Sequence, residues 1–97
     1  MENYMFKPNE IKEKCYELNR SIAEKGLELN IVPGQHISEQ YVAGYHICVH
    51  KNLEERPISQ CYVSFAAIEA CFRNDNCSGL KEQLDKAVSD ALVLLQQ

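Results

Sequence analysis

The sequence of 97 residues has no long apolar run and no excess of basic residues. No apolar stretch approaches the roughly 20 residues that a membrane-spanning helix needs, so we expect no membrane partner. The chain has ten lysine and arginine residues and fourteen aspartate and glutamate residues, which gives a net charge of −4. Because binding to nucleic-acid phosphates usually requires a basic surface, this balance argues against a nucleic-acid partner.

Known catalytic and cofactor motifs are also missing. The Pro33-Gly34 pair lacks the second glycine and the Lys-Ser/Thr of a phosphate-binding loop. The five cysteines include no C-x-x-C pair: Cys15, Cys48, Cys61, Cys71 and Cys77. The N-terminus lacks the basic start and apolar stretch of a signal peptide, so we expect a cytoplasmic protein with reduced cysteines. The sequence therefore predicts no enzyme and no cofactor.

The length fits one domain, which we assign to residues 1–97. A chain of this size buries only about 60–65% of the surface that it exposes when unfolded. Association between copies is therefore a reasonable additional source of stability.

Apolar residues at helical spacing predict three helices. Ile11, Cys15, Leu18 and Ile22 form one stripe, which predicts a helix over 9–25 that ends at Gly26. Two further stripes predict helices over 65–73 and 79–95, and Ser78 is a good N-cap for the last of them.

The run Tyr41–Lys51 decides the fold class. Its tyrosine, valine and isoleucine content favours a strand over 41–50, and Gly44 would cost a helix interior about 1 kcal/mol relative to alanine. Strands are also expected over 27–32, where apolar and polar residues alternate before a turn at Val32–Gln35, and over 59–64. These elements predict an α+β domain with a small antiparallel sheet; the alternative is an all-α four-helix domain.

The histidines of this run suggest a binding site. On a strand, His46, Cys48 and His50 would share one face, where a zinc ion would need Cys61 or His36 as its fourth ligand. A nucleophilic pair of Cys48 or Cys61 with a histidine is also conceivable, although the sequence cannot show the lowered pKa that it needs. Neither spacing is specific, so we predict no metal. The residues that we predict to bind a ligand or partner are Tyr41, Tyr45, His46, His50, Lys51 and Arg56.

The end of the last predicted helix, Leu92-Val93-Leu94-Leu95, is apolar on every side. One packed face cannot bury all of it, so we expect it to contact a second copy or another protein. The sequence thus predicts a small acidic, non-enzymatic protein-binding module of the inhibitor, adaptor or immunity (counter-defence) type, which masks a partner and forms a homo-oligomer. The alternative is a homo-oligomeric domain that binds a nucleotide-like ligand or a metal near Tyr45, His46 and His50.

Overall fold

A three-stranded antiparallel sheet lies at the centre of the computed structural model, which describes residues 6–37 and 41–96 apart from the side chains of 35–37, 41 and 42. The elements in chain order are α1 (Pro8–Leu18), α2 (Ser21–Glu24), β1 (Glu28–Ile37), β2 (Tyr41–His50), β3 (Ser59–Ser64), α3 (Phe65–Asn74) and α4 (Ser78–Leu95). The predicted α+β class is confirmed. The helical alternative for Tyr41–Lys51, and with it the all-α four-helix domain, is wrong.

Alternation along the middle strand builds the core. Tyr45, Ile47 and Val49 are fully buried on one face of β2 and belong to a single hydrophobic cluster with residues of β1, β3 and the helices. The helices contribute Ile11, Cys15, Ile22, Ile68, Cys71, Leu80, Leu84, Ala87, Val88 and Ala91. None of the described side chains on the other face of β2 belongs to this cluster, so the helices form a layer on one side of the sheet.

The first predicted helix is interrupted. Residues 9–25 form α1 and α2, because Asn19 adopts an extended conformation with φ −140° and ψ 98°. Its side-chain oxygen accepts a hydrogen bond from the Ser21 backbone N–H at 3.0 Å, and its amide nitrogen donates to Asp85 at 2.9 Å. Gly26, the predicted end of this helix, has a positive φ of 70°.

The turn predicted at Val32–Gln35 is wrong, because β1 continues through Pro33 and Gly34 to Ile37. Pro33 is tolerated because β1 lies at the edge of the sheet, where a missing N–H is least costly. Gly34 is paired with Gly44 and lies against the ring of His46. A Cβ atom at Gly34 would approach Cδ2 of His46 to 2.9 Å, so only glycine fits without movement of that ring.

The elements of the C-terminal half agree closely with those predicted from the sequence. β3 has the predicted bounds, and α3 and α4 differ by one residue each. The predicted N-cap Ser78 is instead the first residue of α4, and its hydroxyl donates to the side-chain oxygen of Asn76 at 2.8 Å. Within the described ranges, no helix is both long and apolar enough to cross a bilayer.

Candidate functional site

His46, Cys48 and His50 lie on the outer face of β2, away from the helices, as the strand prediction requires. Each side chain has a different neighbour. The His46 ring lies 5.2 Å from the Tyr62 ring, and the Cys48 thiol donates to the side-chain oxygen of Gln60 at 3.6 Å. Among the side chains that the structure describes, which exclude that of His36, no three His, Cys, Asp or Glu residues are grouped so that they could hold a metal ion.

His50 is the most buried of these three side chains, with 5% of its surface exposed against 8% for Cys48. Its Nδ1 lies 3.0 Å from the carbonyl oxygen of Glu55. A carbonyl only accepts, so Nδ1 carries a proton and donates to it. Nε2 is buried without a hydrogen-bond partner among the described residues. The His36 side chain, considered above as a zinc ligand, lies outside the described part of the chain.

Tyr45 projects into the core, opposite to His46 and His50. Its hydroxyl accepts a hydrogen bond from the backbone N–H of Phe6 at 2.9 Å and donates to the carbonyl of the same residue at 3.0 Å. Burial raises the pKa of this phenol, and nearby Glu10 adds to the rise, whereas the hydrogen bond with Phe6 lowers it. Tyr45 thus holds the segment before α1 against the sheet.

The remaining predicted site residues do not complete one cluster. Lys51 Nζ donates to the carbonyl oxygen of Lys25 at 3.3 Å, and Arg56 lies exposed in the connection between β2 and β3. The side chain of Tyr41 is not among those that the structure describes. The structure therefore brings His46 and His50 to one face and places Tyr45 on the other.

The cysteines depart from the expectation of five reduced thiols. Cys71 and Cys77 form a disulfide that joins the end of α3 to the start of α4. Cys15, Cys48 and Cys61 are free. Burial raises the pKa of all three thiols. The pKa of Cys61 rises to about 11, with an added contribution from the neighbouring Cys48. The pKa of Cys15 rises to about 12, with an added contribution from Cys61. At neutral pH these three side chains are protonated and therefore poor nucleophiles.

Two grooves lie on the surface of the described part of the chain. The first, which we call the α1–α3 groove, encloses about 380 Å³ and is lined by Phe6, Glu10, Glu13, Lys14, Glu17 and Phe72. Phe6 contacts both Phe65 and Phe72, with ring centroids 5.8 and 4.8 Å apart. The groove therefore has an aromatic floor and a charged rim.

The second, the α4–β3 groove, encloses about 470 Å³ and is lined by Ser59, Gln60, Asp90, Val93 and Leu94. Val93 and Leu94 are 54% and 50% exposed. The predicted excess of apolar surface at the end of α4 is thus present. This surface lies next to β3, which forms one edge of the sheet among the described strands.

The α1–α3 groove was not predicted from the sequence. One signal for it was available, since Glu10, Glu13 and Glu17 recur at the spacing of a single helix face. Phe6 and Phe72 are 66 positions apart, and no local pattern could place their rings in contact. Comparison of the chain with protein-family models, curated proteins and solved structures found no match.

Proposed function

We propose that this chain is a non-enzymatic protein-binding module that associates with a second copy of itself through the α4–β3 groove. The observation that carries this proposal is the position of half-exposed Val93 and Leu94 beside the edge strand β3. Apolar side chains beside an edge strand are what an added strand requires.

The composition of β3 supports pairing at this edge. Its six residues, Ser-Gln-Cys-Tyr-Val-Ser, contain no charge, no proline and no glycine. Natural edge strands usually carry charged residues or proline, which prevent contact with other sheets. An antiparallel pair of β3 strands would extend the sheet from three strands to six, with Val93 and Leu94 of each copy covered at the junction.

Two further observations support binding rather than catalysis. The three free thiols are protonated at neutral pH, and the described residues contain no group suited to a metal. Acting as a dimer, the module would mask another protein, as an inhibitor, adaptor or immunity protein does. The three free thiols support a cytoplasmic location for the protein. The disulfide is a bond more typical of oxidising compartments.

Sedimentation equilibrium of wild type and Leu94→Glu tests this proposal. We expect the wild type to reach the mass of a dimer at micromolar concentration, and Leu94→Glu to stay monomeric because a charge would be buried at the junction. Leu53→Glu is the matched control, since Leu53 is 46% exposed in the connection between β2 and β3. A wild type that remains monomeric at millimolar concentration would contradict self-association. Equal loss of dimer in both variants would contradict the α4–β3 groove as its interface.

A further inference from the structure

We infer that the α1–α3 groove binds an arginine-bearing segment of a partner protein. The inference rests on the proposed protein-binding function and specifies the chemistry of the masked partner. It concerns a different surface from the α4–β3 groove, so the two can be tested separately.

The floor of the groove suits a planar cation. The rings of Phe6 and Phe72 are partly exposed and lie against each other with centroids 4.8 Å apart. A guanidinium group stacks on such rings, to which its positive charge is attracted. The floor is also held in place, because both hydrogen bonds of the Tyr45 hydroxyl are made to the backbone of Phe6.

The chain's own cations show which charge the groove accommodates. Lys14 Nζ lies 5.9 Å from the centre of the Phe72 ring and 3.2 Å from a carboxylate oxygen of Glu17. Arg73 lies 5.7 Å from the centre of the Phe6 ring. An ammonium group between an aromatic ring and a carboxylate is an internal example of the contact that a partner's arginine would make.

The rim still carries negative charge after these contacts are made. Three glutamates and one lysine line the groove, a balance of −2. Among the described residues Glu13 takes part in no ion pair, since Lys14 contacts Glu17. Glu10 accepts a hydrogen bond from the backbone N–H of Lys7 at 3.2 Å. Glu13 is therefore the carboxylate best placed to receive a new cation.

Arginine fits this arrangement better than lysine or a phosphate-bearing ligand. Its forked group can contact a carboxylate through two hydrogen bonds while its face lies on a ring. A nucleic acid or an anionic membrane would be repelled by the rim. The structure thus favours a basic protein segment as the occupant.

A peptide titration tests the inference. The probe is a seven-residue peptide with two arginines, and its reference is the same peptide with citrulline at both positions, which keeps the shape and removes the charge. We expect the arginine peptide to bind about tenfold more tightly at low salt, measured by calorimetry. Equal binding of both peptides would overturn the inference.

Matched variants locate the binding. Glu13→Gln/Glu17→Gln should weaken binding of the arginine peptide about tenfold, and Lys14→Met should strengthen it about threefold because the internal cation is removed. The control Glu28→Gln/Glu54→Gln makes the same change in net charge at exposed positions on β1 and in the connection after β2. If this control weakens binding as much, the attraction is diffuse and the groove is not the site.

The mass of the protein, measured on the same samples, separates the two proposals. A dimer that does not bind the arginine peptide would refute this inference and leave self-association intact. A monomer that binds the peptide in the groove would refute self-association and leave the groove as a site for a basic segment.

Discussion

The two edges of the sheet differ in how they limit pairing with another strand. β1 carries Pro33, which has no N–H to donate, and the exposed charge of Glu28. β3 carries neither proline nor charge, and Val93 and Leu94 lie exposed beside it. Proline and charge are the usual means by which edge strands avoid association. Among the described strands, the β1 edge is therefore protected, and the β3 edge, which we call the open edge, is not.

In the proposed self-association, the open edge is retained for the interface. An unprotected strand next to exposed apolar side chains is an aggregation hazard unless another surface covers it. The four changes below test whether the two edges behave differently, from the largest expected effect to the smallest.

Gly44→Val should destabilise the sheet at both edges together, because β2 joins them. A Cβ atom at Gly44 would lie 2.3 Å from the carbonyl oxygen of Val63 and 2.6 Å from the Tyr62 hydroxyl. We expect the free energy of unfolding in urea to fall by about 3 kcal/mol. Ala43→Val adds bulk at the exposed neighbouring position and should change the free energy of unfolding by less than about 0.5 kcal/mol. Similar values for the two variants would show that Gly44 is not a site of close packing.

Cys71→Ala/Cys77→Ala should destabilise the fold and weaken the open edge more than the protected one. The bridge closes a segment with a sequence separation of six and joins α3 to α4, whose far end flanks β3. Loop-closure entropy predicts a loss of about 2 kcal/mol in urea unfolding. A reducing agent should produce the same loss in the wild type and none in the variant. An unchanged wild type under reduction would contradict this role of the bridge.

Alkaline pH should weaken the contacts of the helix layer beneath both edges. Cys15 on α1 and Cys61 on β3 have raised pKa values, about 12 and about 11, against 9.0 for the ordinary thiol. The unfolded chain therefore loses these protons first, so stability is fully present below pH 9 and falls as pH rises.

Cys15→Ala measures this effect on the side of β1. At pH 10, we expect the variant to avoid about 1.4 kcal/mol of the loss that the wild type shows relative to pH 8. Urea unfolding at both pH values gives the comparison, and the constant cost of the smaller side chain cancels. Identical pH profiles would show that Cys15 does not titrate as its burial predicts.

Pro33→Thr should have the smallest effect, by opening the protected edge. The added N–H gives β1 a donor, worth about 0.5 kcal/mol, or roughly twofold in the association constant. Sedimentation should then show species larger than the dimer at high concentration. Val32→Thr leaves Pro33 in place at the adjacent exposed position and should show none. Larger species in both variants, or in neither, would mean that Pro33 does not protect this edge.

Much of the sheet could be predicted because its determinants are local. The alternation of Tyr45, Ile47 and Val49 with histidine and cysteine is visible in the sequence and matches the buried face of β2. The same pattern predicted correctly that His46 and His50 share a face. It could not show that Tyr45 would hold Phe6, a contact across 39 positions.

Most of the incorrect predictions have causes that lie far away in the sequence. Asn19 ends α1 with a side chain that also contacts Asp85, 66 positions away. Pro33 and Gly34 have the local chemistry of a turn, yet pairing with β2 keeps them in a strand. Cys71 and Cys77 are an exception, because they are only six positions apart: they match no spacing motif, and the short turn between α3 and α4 brings them together. The α1–α3 groove likewise depends on rings from opposite ends of the chain.

Amide hydrogen exchange as a function of protein concentration tests the central claim most directly. If β3 pairs with its copy, protection of amides in Ser59–Ser64 should rise with concentration, while that of amides in Glu28–Gly34 stays constant. Leu94→Glu should abolish the rise, whereas Leu53→Glu should leave it unchanged. Protection of β3 that does not depend on concentration, or that rises equally in β1, would contradict an open edge retained for self-association.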